Sequence, residues 1–87
     1  MHFDFSPSAW EDYLHWQQAD RQLLKRINAL LQDIARNKNA GIGKPEALKG
    51  NLSGLWSRRI NDKHRLVYVI ENEACVIYQC RGHYGDF

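Results

Sequence analysis

The feature that most limits how this chain can fold is a stripe of aliphatic residues between positions 23 and 34. Its members recur at the three- and four-residue spacing of one helix face: Leu23, Leu24, Ile27, Leu30, Leu31 and Ile34. Arg21 and Lys25 lie off the stripe, and Asp20 precedes it as a candidate N-cap. The pattern predicts an amphipathic helix, which must bury its apolar face against a second layer.

A second helix is predicted just before this one. Ser6 is a good N-cap, and Pro7 suits the first helical position. The residues that follow form a stripe with Trp16 on its flank: Trp10, Tyr13, Leu14 and Gln17. We interpret the aromatic residues of this segment as core. Because only about three residues separate the two helices, we expect them to pack as an antiparallel hairpin.

The second half of the chain has the pattern of a β-sheet. Residues 55–60, 65–71 and 74–81 are rich in β-branched and aromatic side chains and predict a three-strand meander, while residues 2–5 predict a short strand. Both alternating sets of the middle run are apolar, so this strand should be central and covered on both faces. The order predicts an α+β fold, β-α-α-β-β-β, with a two-helix hairpin on one face of a mostly antiparallel sheet and a cleft on the opposite face.

Residues 36–54 connect the two halves and have no regular period. Glycine and proline interrupt this segment, although residues 46–49 are compatible with one helical turn. Irregular connections of this length in a compact domain are usually functional or mobile.

Cysteine usage and hydropathy indicate the compartment. No apolar run reaches the length of a membrane span, and the N-terminus lacks the features of a signal peptide, so we expect a cytoplasmic protein that does not enter a membrane. Cys75 and Cys80 are then expected to be free thiols, and their odd spacing would put them on opposite faces of any strand that contains both. Histidines and cysteines show no paired ligand spacing, so no metal and no cofactor is predicted.

Charge is distributed unevenly along the chain. The 87 residues suffice for one domain, 1–87, and carry a net charge of only +2. Residues 44–65 nevertheless hold six basic and two acidic side chains, a local charge of +4. Such a segment is typical of a surface that meets phosphate groups, and a solvated basic hairpin explains it equally well.

Three kinds of side chain are candidates for chemistry on RNA. Glu46 is a carboxylate in the irregular segment, His83 and Tyr84 lie near the C-terminus, and the basic segment supplies four cations: Lys49, Arg58, Arg59 and Arg65. Cleavage of RNA without a metal needs a base for the ribose 2′-OH, a cation for the charge that develops on phosphorus and an acid for the departing 5′-oxygen.

Each of these candidates also has an ordinary structural explanation. Glu46 could balance neighbouring lysines, and Arg65 could pair with Asp62 or Glu71. His83 lies near a chain end, where disorder is common, and His64 in its polar turn is interpreted as structural or exposed. The residues alone therefore indicate a basic α+β domain with a candidate nucleic-acid function.

Several segments between about Trp10 and Tyr84 resemble the YoeB/Txe toxins of bacterial toxin-antitoxin modules, within the RelE/ParE superfamily. The most specific is Gly43-Lys44-Pro45-Glu46 combined with the terminal pair His83-Tyr84. The resemblance also rests on three longer segments: Trp10-Glu11-Asp12-Tyr13, Asn51-Leu52-Ser53-Gly54-Leu55-Trp56-Ser57-Arg58-Arg59-Ile60 and His64-Arg65-Leu66-Val67-Tyr68.

The resemblance implies a RelE-like fold and an mRNA interferase that cuts mRNA in the ribosomal A site. In such toxins the matching positions give Glu46 as general base, His83 as general acid, Arg65 as the phosphate contact and Tyr84 as an accessory group. Lys49 and Arg59 would bind the RNA backbone. The implied partners are the ribosome, mRNA and a cognate YefM/Phd-like antitoxin, and a homodimer is a candidate assembly.

Two departures from the family pattern and three alternative functions accompany this resemblance. The chain continues past Tyr84 through Gly85, Asp86 and Phe87, and Lys63 adds a positive charge beside the site. The alternatives are a ParE-like inhibitor of DNA gyrase, a ribosome- or RNA-binding module that does not cleave, and a ribonuclease that acts without ribosomes.

Overall fold

One five-stranded sheet carries both helices on a single face in the computed structural model, which describes residues 1–83. The strands are β1 (His2–Phe5), β2 (Glu46–Ala47), β3 (Trp56–Arg59), β4 (Arg65–Glu71) and β5 (Ala74–Gln79), and the helices are α1 (Pro7–Ala19) and α2 (Arg21–Asn37). The order across the sheet is β1-β5-β4-β3-β2. The pairing of β1 with β5 is parallel, and every other pairing is antiparallel. The predicted α+β fold is confirmed.

Both helix starts follow from their capping residues. Ser6 Oγ accepts a hydrogen bond from the Ala9 amide at 3.1 Å, and an Asp20 carboxylate oxygen accepts one from the Leu23 amide at 3.1 Å. The expected gap of three residues between the helices is wrong, because Asp20 alone separates them. Its extended backbone ends α1 while its side chain caps α2.

The core lies between the helices and the sheet. Helix α2 buries the predicted stripe, with Leu23, Ile27, Leu30 and Ile34 facing the sheet. The strands contribute four further residues to this cluster, Leu66, Tyr68, Cys75 and Ile77, and the residues just after β3 and β5 contribute Ile60 and Cys80. As predicted, β4 is central, and its residues 65–68 are buried on both faces.

Helix α1 faces the sheet with a different side from the one that its aromatic spacing predicts. Ala9 and Trp16 are buried, whereas Trp10 and Leu14 remain 47% and 42% exposed. A hydrogen bond to the residue after β5 stabilises this rotation, since Trp16 Nε1 donates to the Cys80 carbonyl at 2.9 Å. The expectation that Trp10 belongs to the core is therefore wrong.

The connection before β3 is also different from the prediction. Residues 46–49 do not form a helical turn; Glu46 and Ala47 form the edge strand β2, and the only regular turn that follows is the 3₁₀ segment Gly50–Leu52. The Gly43 carbonyl accepts a hydrogen bond from the Arg59 amide at 2.7 Å, so pairing with β3 begins even before β2. Tertiary pairing thus outweighs the local helical preference of the segment.

A β-bulge places the two cysteines on the same side of the sheet. Along β4 and β5 the register changes between the pairs Val67–Gln79 and Tyr68–Ile77, which leaves Tyr78 as an extra residue. Cys75 and Cys80 consequently both face the core, and the prediction of opposite faces is wrong. Both are free thiols, as expected.

We expect both thiols to resist alkylation in the folded protein. Burial raises the pKa of Cys75 and of Cys80 to about 12, so almost no reactive thiolate is present at pH 8. Mass spectrometry after iodoacetamide treatment should find neither cysteine modified natively and both modified in denaturant. A Ser53→Cys variant, which adds an exposed thiol, is the control. Modification of Cys75 or Cys80 as fast as position 53 would contradict this account.

Candidate functional site

A cleft of about 430 Å³ lies on the sheet face opposite the helices, where the sequence places it. Its lining is polar and mostly basic: Lys44, Pro45, Glu46, Ser57, Arg59, Arg65 and His83. Three permanent cations thus surround one carboxylate. The cleft accordingly favours an anionic ligand.

Strand register explains why residues distant in sequence meet in this cleft. Glu46 pairs with Ser57, Ser57 with Val67, and Val67 with Gln79. Side chains at directly opposed positions point to the same face of a sheet. The four strands from β2 to β5 therefore present a continuous row that runs from Glu46 to Gln79.

A second row brings two arginines together. Arg59 on β3 is directly opposite Arg65 on β4, on the same face. Like charges at opposed positions destabilise a sheet. Within residues 1–83 the only ion pair joins Arg58 and Asp33, so neither cleft arginine is neutralised by a carboxylate there. The pairing of Arg65 with Asp62 or Glu71, left open by the sequence, does not occur.

Arg65 is held by backbone rather than by an acid. The residue is 7% exposed, and its Nη1 donates to the carbonyl oxygens of Asn61 at 2.8 Å and His64 at 3.2 Å. Those hydrogen bonds fix the guanidinium through one nitrogen. Its remaining N–H groups can bind two oxygens of a phosphate in the fork geometry that arginine favours.

His83 enters the cleft from the turn that follows β5. Gln79 Nε2 donates to the His83 carbonyl oxygen at 2.7 Å, and the Arg65 amide donates to the Gly82 carbonyl at 2.8 Å. The Gly82 backbone has φ 86°, a conformation that glycine adopts without strain. The turn that carries His83 is therefore attached to both β4 and β5.

Arg58 does not belong to the cleft, although it neighbours Arg59 in sequence. Alternation along β3 turns it toward α2, where it is fully buried and donates to Asp33 and to the carbonyl oxygens of three residues in the following connection: Lys38, Ala40 and Ile42. The hydrogen bond from Arg58 is the main reason why the pKa of Asp33 lies below its usual range. The expectation that Arg58 acts as a cleft cation is wrong; it anchors the segment that leads to Glu46.

Gly43 brings this anchored segment against β3. A Cβ atom at position 43 would lie 2.7 Å from Leu30 Cδ2 and 3.3 Å from Arg58 Cβ, and the backbone has φ 81°. Only glycine satisfies both conditions without strain. Lys44, Pro45 and Glu46 follow immediately and form one side of the cleft.

Of the site residues that the sequence singles out, Glu46, Arg59, Arg65 and His83 line one cleft. Lys49 lines an adjoining cavity of about 260 Å³ that also borders Glu46. Tyr84 lies outside the described residues. Sequence reasoning did not select Lys44 or Ser57 as site residues; the alternation of Ser57 with Arg59 along one strand was the signal that could have identified Ser57.

The described part of the chain contains neither a metal-binding cluster nor a membrane-spanning helix. Among residues 1–83, no group of three or more His, Cys, Asp or Glu side chains is arranged to hold a metal ion. In the same part of the chain, neither helix has the length and hydropathy needed to span a bilayer.

The fold and the cleft define a class, the small toxins with a RelE-like fold. The YoeB/ParE toxin from Agrobacterium tumefaciens superposes with a TM-score of 0.93 at 42% identity, over 97% of this chain and 100% of that one. The toxin in the YoeB-YefM toxin-antitoxin complex from Staphylococcus aureus has a TM-score of 0.91 at 50% identity, over 97% and 98%.

Sequence relatives specify the family. Toxin YoeB of Synechocystis is 57% identical over 97% of this chain and 98% of its own, and toxin YoeB of Streptomyces coelicolor is 56% identical over 97% and 100%. The family model described as YoeB-like toxin of bacterial type II toxin-antitoxin system matches residues 5–84. This chain belongs to that family and is a toxin of a type II toxin-antitoxin system.

Proposed function

We propose that this toxin is a ribosome-dependent endoribonuclease, an mRNA interferase, with residues 1–87 forming a single toxin domain. The observation that carries the proposal is the pair Arg59 and Arg65, opposed on one sheet face without a carboxylate partner among residues 1–83 and close to Glu46 and His83. A phosphodiester in the cleft would neutralise the two arginines. It would also lie near a candidate base, Glu46, and a candidate acid, His83.

The proposed reaction uses only side chains of the cleft and the substrate's own ribose. The Glu46 carboxylate removes the proton of the 2′-OH, whose oxygen attacks phosphorus while the bond to the 5′-oxygen breaks. The His83 imidazolium donates a proton to that leaving oxygen. The products are a 2′,3′-cyclic phosphate and a 5′-hydroxyl end. Arg65 stabilises the negative charge that develops on the phosphoryl oxygens in the transition state.

The remaining members of the site have binding roles in this proposal. Lys49 and Arg59 contact the RNA backbone, and Tyr84 assists in positioning the substrate. The ribosome supplies orientation that a 430 Å³ cleft cannot, because it holds mRNA rigidly against the toxin. No metal or cofactor takes part in the proposed steps, and the toxin would act in the cytoplasm, where its substrate is translated.

We further propose two protein partners. The Staphylococcus aureus relatives include a YoeB-YefM complex and a YoeB dimer, at 50% identity to this chain. A YefM/Phd-like antitoxin that covers the basic cleft would neutralise this toxin. A homodimer is the second proposed assembly.

Induction of the toxin in a bacterial host tests the function. Mapping of mRNA 5′ ends together with ribosome footprints should show new ends inside A-site codons within minutes, with an Arg65→Ala variant as the inactive control. Intact mRNA with normal translation would exclude an interferase. If plasmid supercoiling fell at the same time, the gyrase-inhibitor hypothesis would replace it.

A further inference from the structure

His64 is a partly buried polar residue that the proposed chemistry does not use, although it is hydrogen-bonded to two of the segments that carry proposed catalytic residues. Its Nδ1 accepts a hydrogen bond from the Gly82 amide at 2.8 Å, one residue before His83. Its carbonyl oxygen accepts one from Arg65 Nη1 at 3.2 Å. A single residue thus connects the phosphate-binding arginine to the turn of the proposed acid.

The ring of His64 is itself held firmly. Its centroid lies 4.8 Å from that of Trp16, in an edge-to-face arrangement, and Trp16 Nε1 is bonded to the Cys80 carbonyl. The amides of Lys63 and His64 both donate to Asn61 Oδ1, at 2.8 and 2.7 Å, which fixes the turn beneath it. The ring therefore has little freedom to follow a displaced Gly82.

We propose that His64 is a positioning residue of the cleavage reaction, whose neutral imidazole fixes the backbone of the His83 turn through Gly82; this role rests on the proposed function. Gly82 offers an N–H donor, so Nδ1 must carry a lone pair. A protonated ring has N–H groups at both nitrogens. The Nδ1–H group would then point at the N–H group of Gly82, and no hydrogen bond could form between them. Protonation therefore releases one of the hydrogen bonds that hold residues 82 and 83.

The surroundings of the ring oppose its protonation. Four basic groups face it from the elements packed around it: Lys63 in its own turn, Arg65 on β4, Arg81 after β5 and His15 on α1. Burial, followed by Lys63, keeps the pKa of His64 below its ordinary value of 6.5. Because the unfolded chain then binds more protons than the folded one, this contribution to stability is complete above pH 6.5 and is lost as the pH falls through the lower folded value.

Two substitutions separate the hydrogen bond from the charge. In His64→Asn, Oδ1 stands two bonds from Cβ, as Nδ1 does in histidine, so an acceptor remains and nothing titrates. His64→Leu removes the acceptor. With ribosomes and mRNA at pH 7.5, we expect the asparagine variant to cleave nearly as fast as wild type. The leucine variant should lose about 10- to 100-fold in kcat with little change in KM for ribosomes.

The pH profile and an NMR measurement complete the test. The two proteins differ only at position 64, so the ratio of the asparagine variant's rate to the wild-type rate isolates His64, and it should rise as the pH falls below 6.5. Independently of activity, the Gly82 amide resonance of the wild-type protein should shift with the protonation of His64. Its hydrogen exchange should be fast in His64→Leu.

The outcomes distinguish this inference from the function on which it rests. A pH-independent rate ratio, or a leucine variant with wild-type kcat, would overturn the positioning role. A Gly82 amide that ignores the protonation of His64 would do the same even if the leucine variant failed to fold. A wild-type toxin that leaves mRNA intact, with the Gly82 resonance following His64, would instead refute the proposed function and leave the hydrogen bond established.

Discussion

Replacement of Arg58 by methionine should lower the free energy of unfolding by about 1–3 kcal/mol, a substantial part of the stability of a domain this small. The guanidinium is fully buried, and methionine fills a similar volume without a donor. The change would remove the hydrogen bonds that Arg58 donates to Asp33 and to the carbonyl oxygens of Lys38, Ala40 and Ile42. Each acceptor that loses this hydrogen bond costs free energy to the extent that water cannot reach it in the folded protein.

Urea denaturation followed by tryptophan fluorescence measures this effect. Arg59→Met is the matched control, since Arg59 is the next residue in the strand but is exposed and has no ion pair within residues 1–83. We expect the control to change stability by less than about 0.5 kcal/mol. Equal stabilities of the two variants would show that Arg58 does not anchor the segment before Glu46.

Replacement of Arg65 by alanine should reduce ribosome-dependent mRNA cleavage by about 10²- to 10³-fold. Two backbone carbonyl groups hold this guanidinium in place. In the proposed mechanism its contact with the phosphoryl oxygens strengthens as charge develops there. His83→Ala should cost about 10²- to 10⁴-fold, because the leaving 5′-oxygen would depart without a proton.

Single-turnover cleavage on programmed ribosomes measures both losses, and circular dichroism verifies that each variant is folded. Arg21→Ala, an exposed change on α2 away from the cleft, should keep the wild-type rate. Full activity of folded Arg65→Ala would remove this residue from the proposed mechanism. Full activity of His83→Ala would assign the acid role to another group.

The regular elements were predictable because their patterns are long and unambiguous. The stripe of α2 begins behind Asp20, and the apolar run of β4 is observed with the predicted bounds, Arg65–Glu71. Two small features of tertiary structure were not predictable. Pairing with β3 makes a strand of Glu46 and Ala47, and the bulge at Tyr78 reverses the side on which Cys80 lies. Neither depends on local propensity.

The site was only partly accessible from the sequence. Arg58 and Arg59 look equivalent in a basic segment, yet one is fully buried beneath α2 and the other lines the cleft. Strand alternation places the two side chains on opposite faces of the sheet, but assigning each one to the core or the cleft requires knowledge of which face the helices cover. The roles of Glu46 and His83 came from family resemblance, because spacing alone could not bring residues 37 positions apart together. Register across β2 to β5 explains how they meet.

The most direct test uses purified toxin, purified ribosomes and an mRNA whose scissile nucleotide carries either a ribose or a single 2′-deoxyribose. We expect one cut within the A-site codon of the ribose message, ending in a 2′,3′-cyclic phosphate, and no cut when the 2′-OH is absent or the ribosome is omitted. Cleavage of the 2′-deoxy message at the same rate, equal cleavage without ribosomes, or no cleavage of the ribose message would contradict the proposed function.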